Sequence, residues 1–184
     1  MDELILIKKC QNNNRRAMER MYHMIGENVF RICLRYMGTR FDAEDMLQES
    51  IIKIYSSIGK FKWQGPGSFR AWYSKVTVNE CLQKLRKKDI LQDGIPIENV
   101  DGLFTEPEEK EIERIPAKVL QKMLCEMPDG YRTVFNLYVF EKKSHKEIAG
   151  ILGINEKTSS SQFFRARKFL CGKIEEYFKK SDSQ

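Results

Sequence analysis

The stretch Ser144-His145-Lys146-Glu147-Ile148-Ala149-Gly150-Ile151-Leu152-Gly153-Ile154-Asn155, with the polar run that follows it, decides how this chain is read. Ser144 with Glu147 three residues later is a capping box: the serine side chain satisfies the Glu147 amide, and the carboxylate reaches back to the Ser144 amide. Ile148, Ala149 and Leu152 then form the buried face of a short helix, with Ala149 small enough for close helix approach. Gly153 makes the turn, because a left-handed backbone is easy only for glycine. Ile154 packs into that turn, and Asn155 is placed to cap the next helix. This second helix carries Lys157, Thr158, Ser159, Ser160, Ser161, Gln162, Phe163, Phe164, Arg165, Arg167 and Lys168. A short capped helix, a glycine turn and a helix rich in polar and basic groups is the pattern of a helix-turn-helix. Its second helix would enter the major groove of DNA. A plain helical hairpin is the competing reading; the capping box, Ala149, Gly153 and the Ser/Thr/Gln/Arg face favour DNA. Hydroxyls reach phosphates or bases, Gln and Arg read base edges, and Arg165 and Arg167 serve equally as phosphate clamps.

Upstream of this stretch the period stays helical. Ala117 to Glu126 reads as a short helix ended by Met127-Pro128-Asp129-Gly130, and Tyr131 to Phe140 as another. Residues 89 to 113 differ: Gly94, Pro96, Gly102 and Pro107 break them, and Glu106-Pro107-Glu108-Glu109-Lys110-Glu111 is polar and charged. They read as a flexible linker and the domain boundary. Before it, Arg15 to Met37 is one long helix with an apolar stripe through Ala17, Met21, Met24 or Ile25, Phe30 or Val29, Ile32 and Tyr36. A second helix runs from about Asp42, as N-cap, to Ile58, with Leu47, Ile51, Ile54 and Ile58 buried and Gly59 stopping it. The loop Lys60-Phe61-Lys62-Trp63-Gln64-Gly65-Pro66-Gly67 is punctuated by Gly and Pro. Ser68 then caps a third helix to about Lys88, with Phe69, Trp72, Tyr73, Val76 and Leu82 on its apolar face. The expected class is all-α: two small helical domains, residues 1–88 and 114–184, joined by the acidic linker 89–113.

Charge follows the same division. Residues 1–88 carry 17 basic and 9 acidic side chains, residues 89–113 carry 1 and 9, and residues 114–184 carry 14 and 8. Two basic blocks suited to phosphate backbones flank an acidic one that DNA would repel. No apolar run approaches the roughly 20 residues of a spanning helix, and the N-terminus has an acidic start with no small-residue cleavage site; a cytoplasmic protein is expected. Cys10, Cys33, Cys81, Cys125 and Cys171 are scattered and odd in number, which suits buried thiols in a reducing compartment rather than disulfides or a zinc knuckle. His23 and His145 lie far apart with no partner at ligand spacing. No metal, cofactor or small-molecule substrate is expected. An enzyme would need clustered carboxylates or a nucleophile with a base. The one dense carboxylate group, Asp42, Glu44, Asp45 and Glu49, sits at a helix start with no histidine near in sequence.

A family resemblance rests on three motifs in order. Met127-Pro-x-x-Tyr-Arg-x-Val-Phe135, Ser144-x-x-Glu-Ile-Ala-x-x-Leu-Gly153 and Arg165-Ala166-Arg167 resemble region 4 of RNA polymerase sigma factors. Asp42-Ala-Glu-Asp-Met-Leu-Gln-Glu-Ser50 resembles their region 2.2, and Ser68-Phe-Arg-Ala-Trp72 through Val78-Asn79 resembles regions 2.3 and 2.4. With only a linker between, the chain is similar to the extracytoplasmic-function class (group 4) of the sigma-70 family. The resemblance implies that Asp45, Gln48 and Glu49 face the β′ clamp helices of core RNA polymerase. It implies that Lys62, Trp63 and Asn79 meet the non-template strand of the −10 element, where charge tracks the backbone and aromatics stack on bases. Ser160, Ser161, Phe164, Arg165 and Arg167 would contact the −35 element, and the acidic linker would thread the RNA exit path. Implied partners are core polymerase through its β′ clamp helices and β flap, promoter DNA, and an anti-sigma factor. Ser159 stands where the family often has Val, and Ser160 and Gln162 where many members carry Arg or Lys. The alternative is a self-sufficient helix-turn-helix regulator, in which the Asp42–Ser50 motif and the loop have no purpose.

Overall fold

The computed structural model describes residues 3–87, Pro107 and 109–181; most of the expected linker lies outside the described residues. Those described form helices and turns, without a strand. The chain divides into two compact units, Met1–Lys87 and Lys88–Gln184.

In the first unit, α1 (Glu3–Gln11), a helix beyond those expected from the sequence, buries Leu6, Ile7 and Cys10. It packs on α2 (Arg15–Met37). Asn14 caps α2 by accepting from the Ala17 amide at 3.0 Å, and Gly38 at φ 77° ends it. Where the sequence left alternatives, Ile25 and Val29 take the buried positions. The next helix, α3, spans Arg40–Ser57, and its N-cap is Thr39, not Asp42. The Thr39 hydroxyl accepts from the Asp42 amide at 3.1 Å and donates to the Asp42 carboxylate at 2.7 Å. Thus Asp42 sits in the first turn, where a negative charge meets the positive helix end. The buried stripe also shifts: Ala43, Met46, Ser50, Ile51 and Ile54 face inward and Leu47 is half-exposed. A 3₁₀ turn, Ile58–Lys60, follows in place of an abrupt stop at Gly59. Ser68 is the first residue of α4 (Ser68–Lys87) rather than its cap. Its hydroxyl accepts from the Gln64 amide at 3.2 Å and donates to the Gly65 carbonyl at 2.6 Å, tying the loop. The core lies where α2, α3 and α4 meet: Met21, Cys33, Tyr36, Met46, Ile54, Phe69 and Cys81 are all but inaccessible.

The second unit begins with a short helix, α5 (Glu109–Glu113), inside the span read as linker. Helix α6 spans Ala117–Cys125 and α7 spans Asp129–Phe135. The helix expected to reach Phe140 does not stay α-helical: Asn136–Phe140 widens to π-helical turns, and the Glu141 amide reaches the Asn136 carbonyl at 3.1 Å. Helix α8 (His145–Leu152) and the long α9 (Glu156–Ser181) complete it. Ile115 and Met123 pack on Ile174 of α9, with Val119, Leu120, Leu170, Tyr177 and Phe178 around them. Gly153, at φ 71°, turns the chain between α8 and α9. An added Cβ there meets nothing within 4 Å, so Gly153→Ala costs conformational strain alone. Thermal unfolding should show a loss of about 1–2 kcal/mol.

Candidate nucleic-acid and polymerase-facing surfaces

The helix-turn-helix is built by its caps. Ser144 Oγ accepts from the Glu147 amide, and the Glu147 carboxylate accepts from the Ser144 amide at 2.9 Å and its hydroxyl at 3.0 Å. With Lys143 Nζ also 3.0 Å away, the Ser144 amide and these neighbours hold the Glu147 carboxyl down to about 2. The ordinary carboxyl titrates near 4.5. Its stabilisation is therefore complete above that range and is lost as pH falls toward about 2. Circular-dichroism melts should show the wild type losing more stability than Glu147→Gln between pH 6 and pH 3. Asn155 Oδ1 accepts from the Thr158 amide at 2.7 Å and starts α9.

Between the two helices lies a polar pair. Ser159 is fully buried, and its hydroxyl is 3.0 Å from His145 Nδ1. His145 stacks on Tyr138, with ring centroids 4.7 Å apart, and Phe163 lies 4.3 Å from Tyr138 and packs on Phe135. The buried Ser159 hydroxyl thus has a hydrogen-bond partner, which offsets the cost of taking it out of water. Arg132, 3% exposed, donates to the Met127 carbonyl at 2.6 Å and the Cys125 carbonyl at 3.2 Å, and pairs with the Asp129 carboxylate.

On α9 the exposed face carries Lys157, Ser160, Ser161 and Phe164, with Arg165 and Lys168 half-exposed beside them. Their spacing places them on one side of the helix, opposite buried Ser159 and Ala166. Arg167 is set apart: its guanidinium lies over the Phe163 ring at 5.8 Å. Lys157 and Lys168, absent from the expected site, belong to this face by helical spacing.

In the first unit, Lys62 is exposed and Trp63 half-buried in the loop, and Asn79 is exposed on α4. Trp72, which the sequence placed on the apolar face, is half-buried against Phe61 and Phe69, centroids 5.2 and 5.9 Å away. On α3, Asp45, Gln48 and Glu49 are exposed. Glu49 is engaged by Lys84 Nζ at 2.7 Å, which raises the lysine's pKa. Phe41 and Ile52, 74% and 68% exposed, fall on the same helical stripe as Asp45 and Gln48. These apolar neighbours flank the acidic motif, and their helical spacing is the sequence signal that groups them with it.

A capped helix-turn-helix with a polar, basic second helix, in a chain that also folds a separate helical unit, defines a helix-turn-helix protein of the all-helical class. The family description "Sigma-70 region 2" matches residues 21–90, and "Sigma-70, region 4" matches residues 117–170. The chain belongs to the sigma-70 family, as a sigma factor of the extracytoplasmic-function (ECF) class. It is 31% identical over 149 residues to the ECF RNA polymerase sigma factor SigE of Mycolicibacterium smegmatis, covering 78% of this chain and 56% of that protein. It is 26% identical over 176 residues to the ECF RNA polymerase sigma factor SigW of Bacillus subtilis, covering 89% and 92%. A solved structure of the sigma factor RpoE with the anti-sigma factor NepR from Bartonella quintana is similar at TM-score 0.49 and 18% identity, over 85% of this chain and 96% of that one.

Proposed function

We propose that this sigma factor binds core RNA polymerase and directs it to promoters by reading the −35 and −10 elements. Residues 1–88 serve polymerase binding and −10 recognition and melting, residues 89–113 form the acidic linker, and residues 114–184 read the −35 element. Asp45 and Gln48 face the β′ clamp helices, with Glu49 shared between that contact and Lys84. Asn79, Lys62 and Trp63 receive the unpaired non-template strand. Ser160, Ser161, Phe164 and Arg165 enter the major groove at −35, and Arg167 supports the same contact from beside Phe163. The β flap and an anti-sigma factor complete the partners. The protein acts through binding, with no catalytic chemistry of its own.

The observation that carries the reading is the exposed polar face of α9 behind a fully formed capping box. Size-exclusion chromatography with bacterial core polymerase, followed by anisotropy on promoter duplexes, tests it. A stoichiometric complex is expected, with promoter DNA held tightly by the complex and at micromolar or weaker affinity by the chain alone. Nanomolar duplex binding by a dimer of the chain, with no polymerase complex, would establish the self-sufficient regulator instead.

A further inference from the structure

The loop Lys62–Gly67 is held at its start by a residue far away in sequence. Gln11, the last residue of α1, donates through Nε2 to the Ile58 carbonyl at 3.1 Å and to the Phe61 carbonyl at 3.0 Å. A primary amide has two N–H donors, and both are used. The acceptors are not spare. They lie at the 3₁₀ turn that follows α3: Phe61 caps that turn, and its amide also donates to the Ile58 carbonyl at 3.0 Å. The Phe61 ring is buried and packs edge-on against Phe69, centroids 5.4 Å apart. Phe61 is therefore pinned from both sides, its ring by the core and its carbonyl by Gln11. The next residue is Lys62. The far end of the loop is tied by Ser68 to Gln64 and Gly65. Gly65 and Gly67 adopt φ of 109° and 83° between these ties, which side chains rarely tolerate. Gln11 itself is seated because Leu6, Ile7 and Cys10 bury α1. It lies before the residues that match the sigma region 2 description.

We propose that Gln11 is a positioning residue for promoter melting: its side-chain amide fixes the entry of the Lys62–Gly67 loop, so that the loop meets the unpaired −10 strand already ordered. Ordering a loop at the moment of binding weakens binding, and a preformed loop avoids that loss. The inference rests on the reading of the chain as a sigma factor whose loop receives the non-template strand.

The test uses the full chain bound to core polymerase and a labelled single-stranded oligonucleotide carrying the non-template −10 region of a promoter it transcribes. Gln11→Leu removes both donors at similar size. Gln11→Glu presents carboxylate oxygens to two carbonyls. Gln11→Lys restores donors on a stem of similar length. The leucine variant should bind the strand roughly five- to tenfold more weakly, and the glutamate variant more weakly still. The lysine variant should return to within about twofold of wild type, the donors being restored. Core-polymerase affinity and −35 duplex binding should stay at wild-type values, while the melting temperature falls by a few degrees at most as two part-buried hydrogen bonds are lost. Wild-type strand affinity in Gln11→Leu overturns the proposal, and so does a parallel fall in polymerase affinity, which would make Gln11 merely structural. Should Gln11→Leu fail to fold, the lysine and glutamate variants carry the same comparison, and equal strand binding by both would overturn it. If the wild-type complex fails to hold the strand, the sigma-factor reading falls with it, an outcome recognised because the wild type itself is silent.

Discussion

Replacing Arg132 with Met lowers the stability of the second unit by about 3 kcal/mol, the scale expected when one partner of a buried charged network is removed. Arg132 is 3% exposed and joins α7 to the end of α6 through the Met127 and Cys125 carbonyls and the Asp129 carboxylate. Methionine matches the stem but has no donor, so the Met127 and Cys125 carbonyls lose their hydrogen bonds to the guanidinium, and a buried acceptor left unsatisfied costs about 1–3 kcal/mol. Asp129 is 34% exposed and recovers water, which keeps the loss toward the lower end of the range. Lysine retains the charge but not the planar fork that reaches three acceptors, so Arg132→Lys recovers only part. The two tryptophans, Trp63 and Trp72, both lie in the first unit. In urea unfolding of the full chain, tryptophan fluorescence should report an unchanged first unit while far-ultraviolet dichroism reports an earlier transition in the second. Coincident shifts in both signals would contradict the assignment of Arg132 to a single unit's framework.

The second large effect falls on α3. Asp45→Lys should weaken core-polymerase binding by roughly 30-fold or more, equivalent to the ~2 kcal/mol of an interface hot spot. Asp45 is exposed and lies between Phe41 and Ile52 on one helical stripe, so it costs the folded chain little to change. An acidic centre flanked by exposed aromatic and aliphatic groups has the makeup of an anchored contact, with charge for selection and apolar area for affinity. Phe41→Ala and Ile52→Ala should each weaken the same complex without shifting the melting temperature. Glu49→Lys has a second consequence, since it also breaks the 2.7 Å pair with Lys84. Titration of labelled core polymerase separates these variants. Wild-type affinity in Asp45→Lys would remove α3 from the contact.

Much of the architecture was legible because its signals are local. The capping box at Ser144, the left-handed Gly153 and the Asn155 cap need only neighbouring residues, and the structure forms each of them. Arg15–Met37 was legible because a long stripe at helical spacing has few alternatives. Sequence and structure part where two nearby residues compete. Thr39 and Asp42 can both cap, and the threonine lies one turn earlier, so it wins. The stripe on α3 was shifted because Ser50 looks polar, yet it is buried beside the Cys33 thiol at 3.8 Å. The π-helical turns at Asn136–Phe140 leave no local mark; they accompany the packing of Phe135, Tyr138 and Phe163. The polar pair of His145 and Ser159, fourteen positions apart, and the reach of Gln11 to Phe61 depend on tertiary contact, which periodicity does not encode. Of the site, the exposed face of α9 was readable from its polar composition, while the places of Lys157 and Lys168 on that face emerge from the helix geometry.

In vitro transcription with bacterial core polymerase on host-genome fragments, with and without this chain, tests the central claim most directly. Discrete start sites that depend on the chain are expected, diminished by Arg165→Ala through the −35 element and by Asn79→Ala through the −10 element. No chain-dependent start site from a chain that is folded and bound to polymerase would contradict the account.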